Sequence, residues 1–239
     1  MFEFTLLLVV AYFAAIVSGM AGFGGALLLM PFLIEIVGTA YAVPLLTIVQ
    51  FIGNLSRVCF GFLQIQWKPV GLFLLSAIPF SILGAFSFVE LLKDLITRCI
   101  GAAILLFVLL KYLGALNLKA NTFLLVIGGG FVGFLSGLLG SAGPLGAAIF
   151  LSLGLPPVAY IASEGITALA MHGVKIVIYQ KYILFNQDLW ILAAAMGLAV
   201  IMGTWSAQQV IKHISQKVFE HYVAVLLIII ALYMMFYGL

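Results

Sequence analysis

Arg57, Glu164 and Lys175 are charged side chains that stand away from the ends of long apolar runs, and His172 joins them. A charge at bilayer depth is costly and by default marks a site or a pathway. Gln50, Asn54 and Arg57 follow at spacings of four and three residues, which puts them on one helix face that Gly61 continues. Glu164, Ala168, His172, Lys175 and Tyr179 share a face in the same way. The planar fork of arginine can grip sulfonate, sulfite or carboxylate oxygens, and lysine adds a compact charge. Together the two cations predict a lining whose natural ligand is a small anion, with Gln50, Asn54 and His172 as further contacts. The plainer alternative is that both cations snorkel to an interface. Glu164 reads either as a structural partner for a cation or as a proton carrier, and His172 is the second candidate for proton coupling.

A second constellation is backbone. Gly19-Met20-Ala21-Gly22-Phe23-Gly24-Gly25 and Gly137-Leu138-Leu139-Gly140-Ser141-Ala142-Gly143 each separate two apolar runs of about 15 and 13 residues. Non-helical backbone at membrane depth is tolerated only where protein buries it or a wet cavity receives it. Glycine permits the turn and lets a ligand approach closely. The new helix after each break offers free N–H groups and a positive dipole end, an anion site without a cationic side chain. Gly22, Gly24, Gly25, Gly140, Ser141 and Gly143 are therefore candidate contacts, and Pro144 fits a first helical turn. The competing reading is that these glycines serve only close helix packing.

The elements that must position these groups follow from composition. Of 239 residues, 66% are hydrophobic and only 7% charged, which excludes water as the solvent for most of the surface. Apolar helical runs are predicted at about 4–18, 24–36, 41–63, 70–90, 96–115, 122–137, 142–154, 157–180, 188–211 and 217–238. One membrane domain, 1–239, is expected in the cytoplasmic membrane, with repeat one at about 1–118 and repeat two at about 119–239. A shift of 118 pairs Ser18, Gly19, Gly22 and Gly25 with Ser136, Gly137, Gly140 and Gly143. It also pairs Asn54 with His172, Arg57 with Lys175 and Trp67 with Phe185. If each break forms a re-entrant hairpin, each half has three further spans and the halves are inverted; if each is one broken span, they are parallel. The inverted arrangement is preferred, because it collects Lys68, Lys111, Lys119, Lys212 and Lys217 on one face, cytoplasmic by the positive-inside rule, and Lys93, Arg98 and Lys181 on the other. Both termini then lie outside. Trp67 and Trp190 fit an aromatic belt, and His213 and His221 look interfacial.

The net charge of +3 lies mostly between apolar runs and implies no nucleic acid. Cys59 and Cys99 lack metal-ligand spacing and read as small core residues; no metal or cofactor is expected. Met1 to Thr5 lacks the positive region of a cleavable signal peptide, so residue 1 is expected to be retained. No H-E-x-x-H or similar paired motif supports an intramembrane enzyme, and Ser141 has no evident base.

The segments SGMAGFGGALLLMPFL and SGLLGSAGPLGAAIF, with the short spans around them, resemble the sulfite exporter TauE/SafE family over essentially the whole chain. That resemblance implies secondary transport of small sulfur-containing or organic anions such as sulfite, sulfoacetate or related sulfonates. The second copy departs from the first, with Ser141-Ala142-Gly143-Pro144 in place of Phe23-Gly24-Gly25-Ala26. The expected protein is an all-α polytopic permease working by alternating access, with the anion between the two breaks and protons or sodium as coupling ions. An anion channel with the same lining is the alternative, and a homodimer is left open.

Overall fold

The computed structural model describes residues 2–86, 98, 102, 104–106, 109, 121–139, 142–179 and 187–237. Among these the secondary structure is helical throughout. Helices α1 (Phe2–Ala21), α2 (Gly25–Val37), α3 (Thr39–Gly61) and α4 (Trp67–Phe86) make up the first half, with one 3₁₀ turn at Phe62–Gln64. Helices α5 (Thr122–Leu139), α6 (Gly143–Leu151), α7 (Pro157–Tyr179), α8 (Gln187–Ile211) and α9 (Gln216–Tyr237) make up the second. Six of them are long and apolar enough to cross a membrane: α1, α3, α4, α7, α8 and α9. Their outer faces carry large exposed apolar side chains such as Leu75, Leu198, Met202 and Ile229, as lipid contact requires. The chain is a multi-pass membrane protein. Trp67 and Trp190 are exposed near the starts of α4 and α8, where an aromatic belt would lie.

Both predicted breaks interrupt the helices. α1 ends at Ala21 and α2 starts at Gly25; α5 ends at Leu139 and α6 starts at Gly143. In the first break Gly22 and Gly24 sit at φ 90° and 94°, the left-handed region that side-chain-bearing residues avoid. Gly25 comes back beside Ser18 and Ala14, so α2 folds against α1 as a hairpin. The first arms are longer than the sequence reading allowed, at 20 and 18 residues in place of about 15. Ser18, Gly19, Ser136 and Gly137 continue the helices because they pack inside them rather than ending them.

That packing divides each glycine cluster by role. Gly137, with Gly129 and Gly133, lies against the backbone of Ser81, Phe73 and Ala77 on α4, where no β-carbon would fit. On the other side of the molecule Gly19 meets Ala207, and Gly203 meets the backbone of Tyr12, between α1 and α8. Small residues thus let α4 approach α5, and α1 approach α8, at backbone distance. The packing-only reading of the glycines holds for Gly19 and Gly137 and fails for Gly22 and Gly24.

Helices α3 and α7 cover corresponding positions at an offset of 118 and run antiparallel against each other: Gly61 faces Val158 and Ala162, Gly165 faces Arg57, and Gly173 faces Phe51. The fourth helices keep a different register. Gly19 and Gly137 meet Ala207 and Ser81, and Ala15 and Gly133 meet Gly203 and Ala77, an offset of 126 between Ala77 and Gly203. The pairing of Trp67 with Phe185 therefore does not carry into the packing of α4 and α8, and Phe185 itself lies outside the described residues. Cys59 is exposed on α3, a correction to its reading as a core residue; Cys99 is outside the described residues.

Candidate functional site

The two breaks and the polar faces of α3 and α7 enclose one cavity. Gln50, Asn54 and Arg57 reach it from α3, Glu164 and His172 from α7, Gly22, Gly24 and Gly25 from the first break, and Gly143 from the second. Its volume is about 40 Å³, the scale of one or two waters, so the side chains and backbone of the two breaks close tightly on it. Gly140 and Ser141 were also expected here; both lie outside the described residues.

Arg57 is 4% exposed and Lys175 0%, so neither snorkels to water. The Arg57 Nη1 donates to the Gly22 carbonyl at 2.5 Å and to the Ser18 carbonyl at 3.3 Å. The same nitrogen pairs with Glu164 Oε2 at 3.2 Å, and Nη2 donates to Asn54 Oδ1. The Ser18 carbonyl also accepts from the Gly22 N–H at 2.8 Å, and the Gly22 carbonyl lies just past the end of α1. One side chain thus anchors the first break to α3 and α7. Asn54 serves the guanidinium as an acceptor.

Lys175 stands behind the cavity wall rather than in it. Its Nζ lies 3.4 Å from the hydroxyl of Ser136, which does line the cavity. Ser136 matches Ser18 as Lys175 matches Arg57, and in both halves the cation and the serine are 39 positions apart. The sequence alignment held this serine pair without marking it as part of the site. His172 borders the cavity with its Nδ1 buried and without a hydrogen-bond partner.

Tyr160 was not anticipated. Its hydroxyl stands 3.1 Å from the carbonyl of Ala21, at the first break, and 3.2 Å from that of Ala147 in α6. One hydroxyl proton can serve only one of them at a time, so the side chain links the two broken elements by a shared donor. Its ring also fills the space a side chain at Gly22 would need, 3.0 Å from where that β-carbon would stand. Its position in the first half is taken by Ala42, so the repeat gave no hint of it.

The breaks differ as anion sites. In α2 the N–H groups of Gly25, Ala26 and Leu27 precede the first helical bond, from Leu28 N–H to the Gly24 carbonyl at 3.1 Å. Gly25 and Ala26 line the cavity. In α6 Pro144 has no N–H, and those of Leu145 and Gly146 both go to the Ala142 carbonyl. The positive end of α2 is thus the richer in donors.

The cavity between the two broken helices thus holds a buried Arg57–Glu164 pair inside a bundle of membrane spans. The model of the family described as Sulfite exporter TauE/SafE matches residues 7–234. The chain belongs to the sulfite exporter TauE/SafE family. This is a transporter family, associated with sulfite-type anions, and the match spans both breaks, both polar helices and α9. Comparison with curated proteins and with solved structures finds no match.

Proposed function

We propose that this TauE/SafE member is a secondary transporter that moves a small sulfur-containing or organic anion, such as sulfite, sulfoacetate or a similar sulfonate or carboxylate, across the cytoplasmic membrane. The observation that carries the reading is the buried guanidinium of Arg57, seated on a helix break inside an apolar bundle. Such a charge is retained at bilayer depth at high cost, and an anion is its natural ligand. Arg57, Asn54, Gln50 and His172 contact the anion, with the N–H groups of Gly25 and the neighbouring turn at its other side. Lys175 adds positive potential through Ser136.

Alternating access comes from one half moving against the other around this cavity. The proposal includes the inverted arrangement of the halves, which the antiparallel packing of α3 against α7 supports, since matched helices that run oppositely require opposite orientations. Charge supports the same orientation. Lys68, at the start of α4, Lys212, just past α8, and Lys217, in the first turn of α9, fall at one end of the bundle, while Arg98 reaches the far end of α9 at Met235. Coupling to protons, through Glu164 or His172, belongs to the proposal.

The test is transport in proteoliposomes. Saturable counterflow of sulfite or sulfoacetate, lost in Arg57→Gln, is expected. Large unitary anion currents would instead make the protein a channel, and absence of any flux with folded protein would remove the reading.

A further inference from the structure

We propose that the Glu164 carboxylate is a built-in competitor of the transported anion for Arg57, so that one proton is taken up by Glu164 for each anion that binds. The inference rests on the transporter reading above and gives its coupling step. Geometry carries it. Glu164 Oε2 is 3.2 Å from Arg57 Nη1 and 3.5 Å from where a β-carbon on Gly22 would stand. Its Oε1 faces the second break, 4.0 Å from the corresponding point on Gly146 of α6. The carboxylate therefore fills the space between the two broken elements, where the anion is proposed to sit.

Arg57 is already ion-paired, and its remaining bonds, to two carbonyls and to Asn54, are neutral. Its Nε is buried and has no acceptor, so a donor is left for an incoming oxygen. An anion entering here meets a like charge a few ångströms away, and a proton on Glu164 removes it. Binding of the anion and protonation of Glu164 are then linked, each favouring the other.

The titratable groups around Glu164 are Arg57 on α3 and Tyr160 on its own helix, with His172 and Lys175 further along α7. α5 and α6 contain none. Those of α1, α4 and α8, namely Glu3, Tyr12, Lys68 and Asp188, line no part of the cavity. Among the described residues Glu164 is the carboxylate that can make the exchange.

The experiment is calorimetric titration of the purified full-length protein with sulfoacetate, whose acidic groups stay ionised between about pH 6 and about pH 8. Repeating it in buffers of different ionisation enthalpy counts protons. The wild type is expected to bind about tenfold more tightly at the lower pH, and to take up about one proton per anion at the higher pH and much less than one at the lower. Glu164→Gln, which keeps an oxygen acceptor for Arg57, is expected to bind as tightly at the higher pH as the wild type does at the lower, with no uptake. Glu164→Asp, the second variant should the first not fold, is expected to retain uptake. Wild-type binding without proton uptake, or uptake that persists in Glu164→Gln, overturns the inference and leaves the transporter reading standing. No saturable binding at either pH overturns both.

Discussion

Arg57 has four acceptors drawn from the first break, α3 and α7, and its replacements should separate what each contributes. Arg57→Gln leaves the Glu164 carboxylate buried without its cation, and breaking a buried pair costs about 3–5 kcal/mol. Pairing it with Glu164→Gln should recover much of that loss, measured by thermal or denaturant unfolding in detergent; equal stability of the single and double variants would show that the ion pair is not coupled. The two left-handed glycines make a sharper comparison. Gly24→Ala meets only ordinary contact, 3.4 Å from Ile230, so its cost is backbone strain of about 1–2 kcal/mol. Gly22→Ala bears the same strain and also presses on Tyr160 at 3.0 Å, so it should lose more. The intramembrane polar residues were legible because they stand against an apolar background. The pairing of Arg57 with Glu164 was not, since it joins residues 107 positions apart on different helices. Tyr160 was missed because a tyrosine on an apolar helix gives no signal until its hydroxyl is seen between two broken ends.

At the level of elements, the contrast is between glycines that break helices and glycines that bring them together. Gly133→Val would drive a side chain into the Ala77 backbone, which cannot move aside, and should destabilise by about 3 kcal/mol or more. Gly71→Ala on the same α4 meets nothing within 4 Å and should stabilise by about 0.5–1 kcal/mol through helix propensity. Unfolding curves of the two variants check both signs, and a tolerated Gly133→Val would show that α4 and α5 are less closely apposed than described. Most helix limits could be read from apolar runs bounded by Gly38, Pro157 and the two clusters. The lengths of α1 and α5 could not, because serine and glycine end a helix in water yet pack within one against another helix. The displaced register of α8 was equally hidden: an ungapped shift cannot register a change that lies between α7 and α8.

For the whole molecule a two-fold organisation is the reading of the glycine spacing and the matched cations, and its inverted form stays a proposal, which the antiparallel packing of α3 and α7 favours. Cysteine labelling in intact cells would map it. Cysteines at Gln66, Asn121 and Ser215, all exposed near one end of the bundle, should react only from the cytoplasm. Cysteines at Glu3, Arg98 and Asp188, exposed near the other end, should react only from outside. Labelling of Gln66 and Asp188 from the same side would favour parallel halves.

The central claim, a small anion held between the breaks against Arg57, is tested most directly by anomalous diffraction from crystals soaked in selenite, a heavy-atom counterpart of sulfite. The account predicts one strong selenium peak in the cavity, within hydrogen-bonding reach of the Arg57 guanidinium and of the first turn of α2. A saturated soak that places selenium only outside this cavity would contradict it.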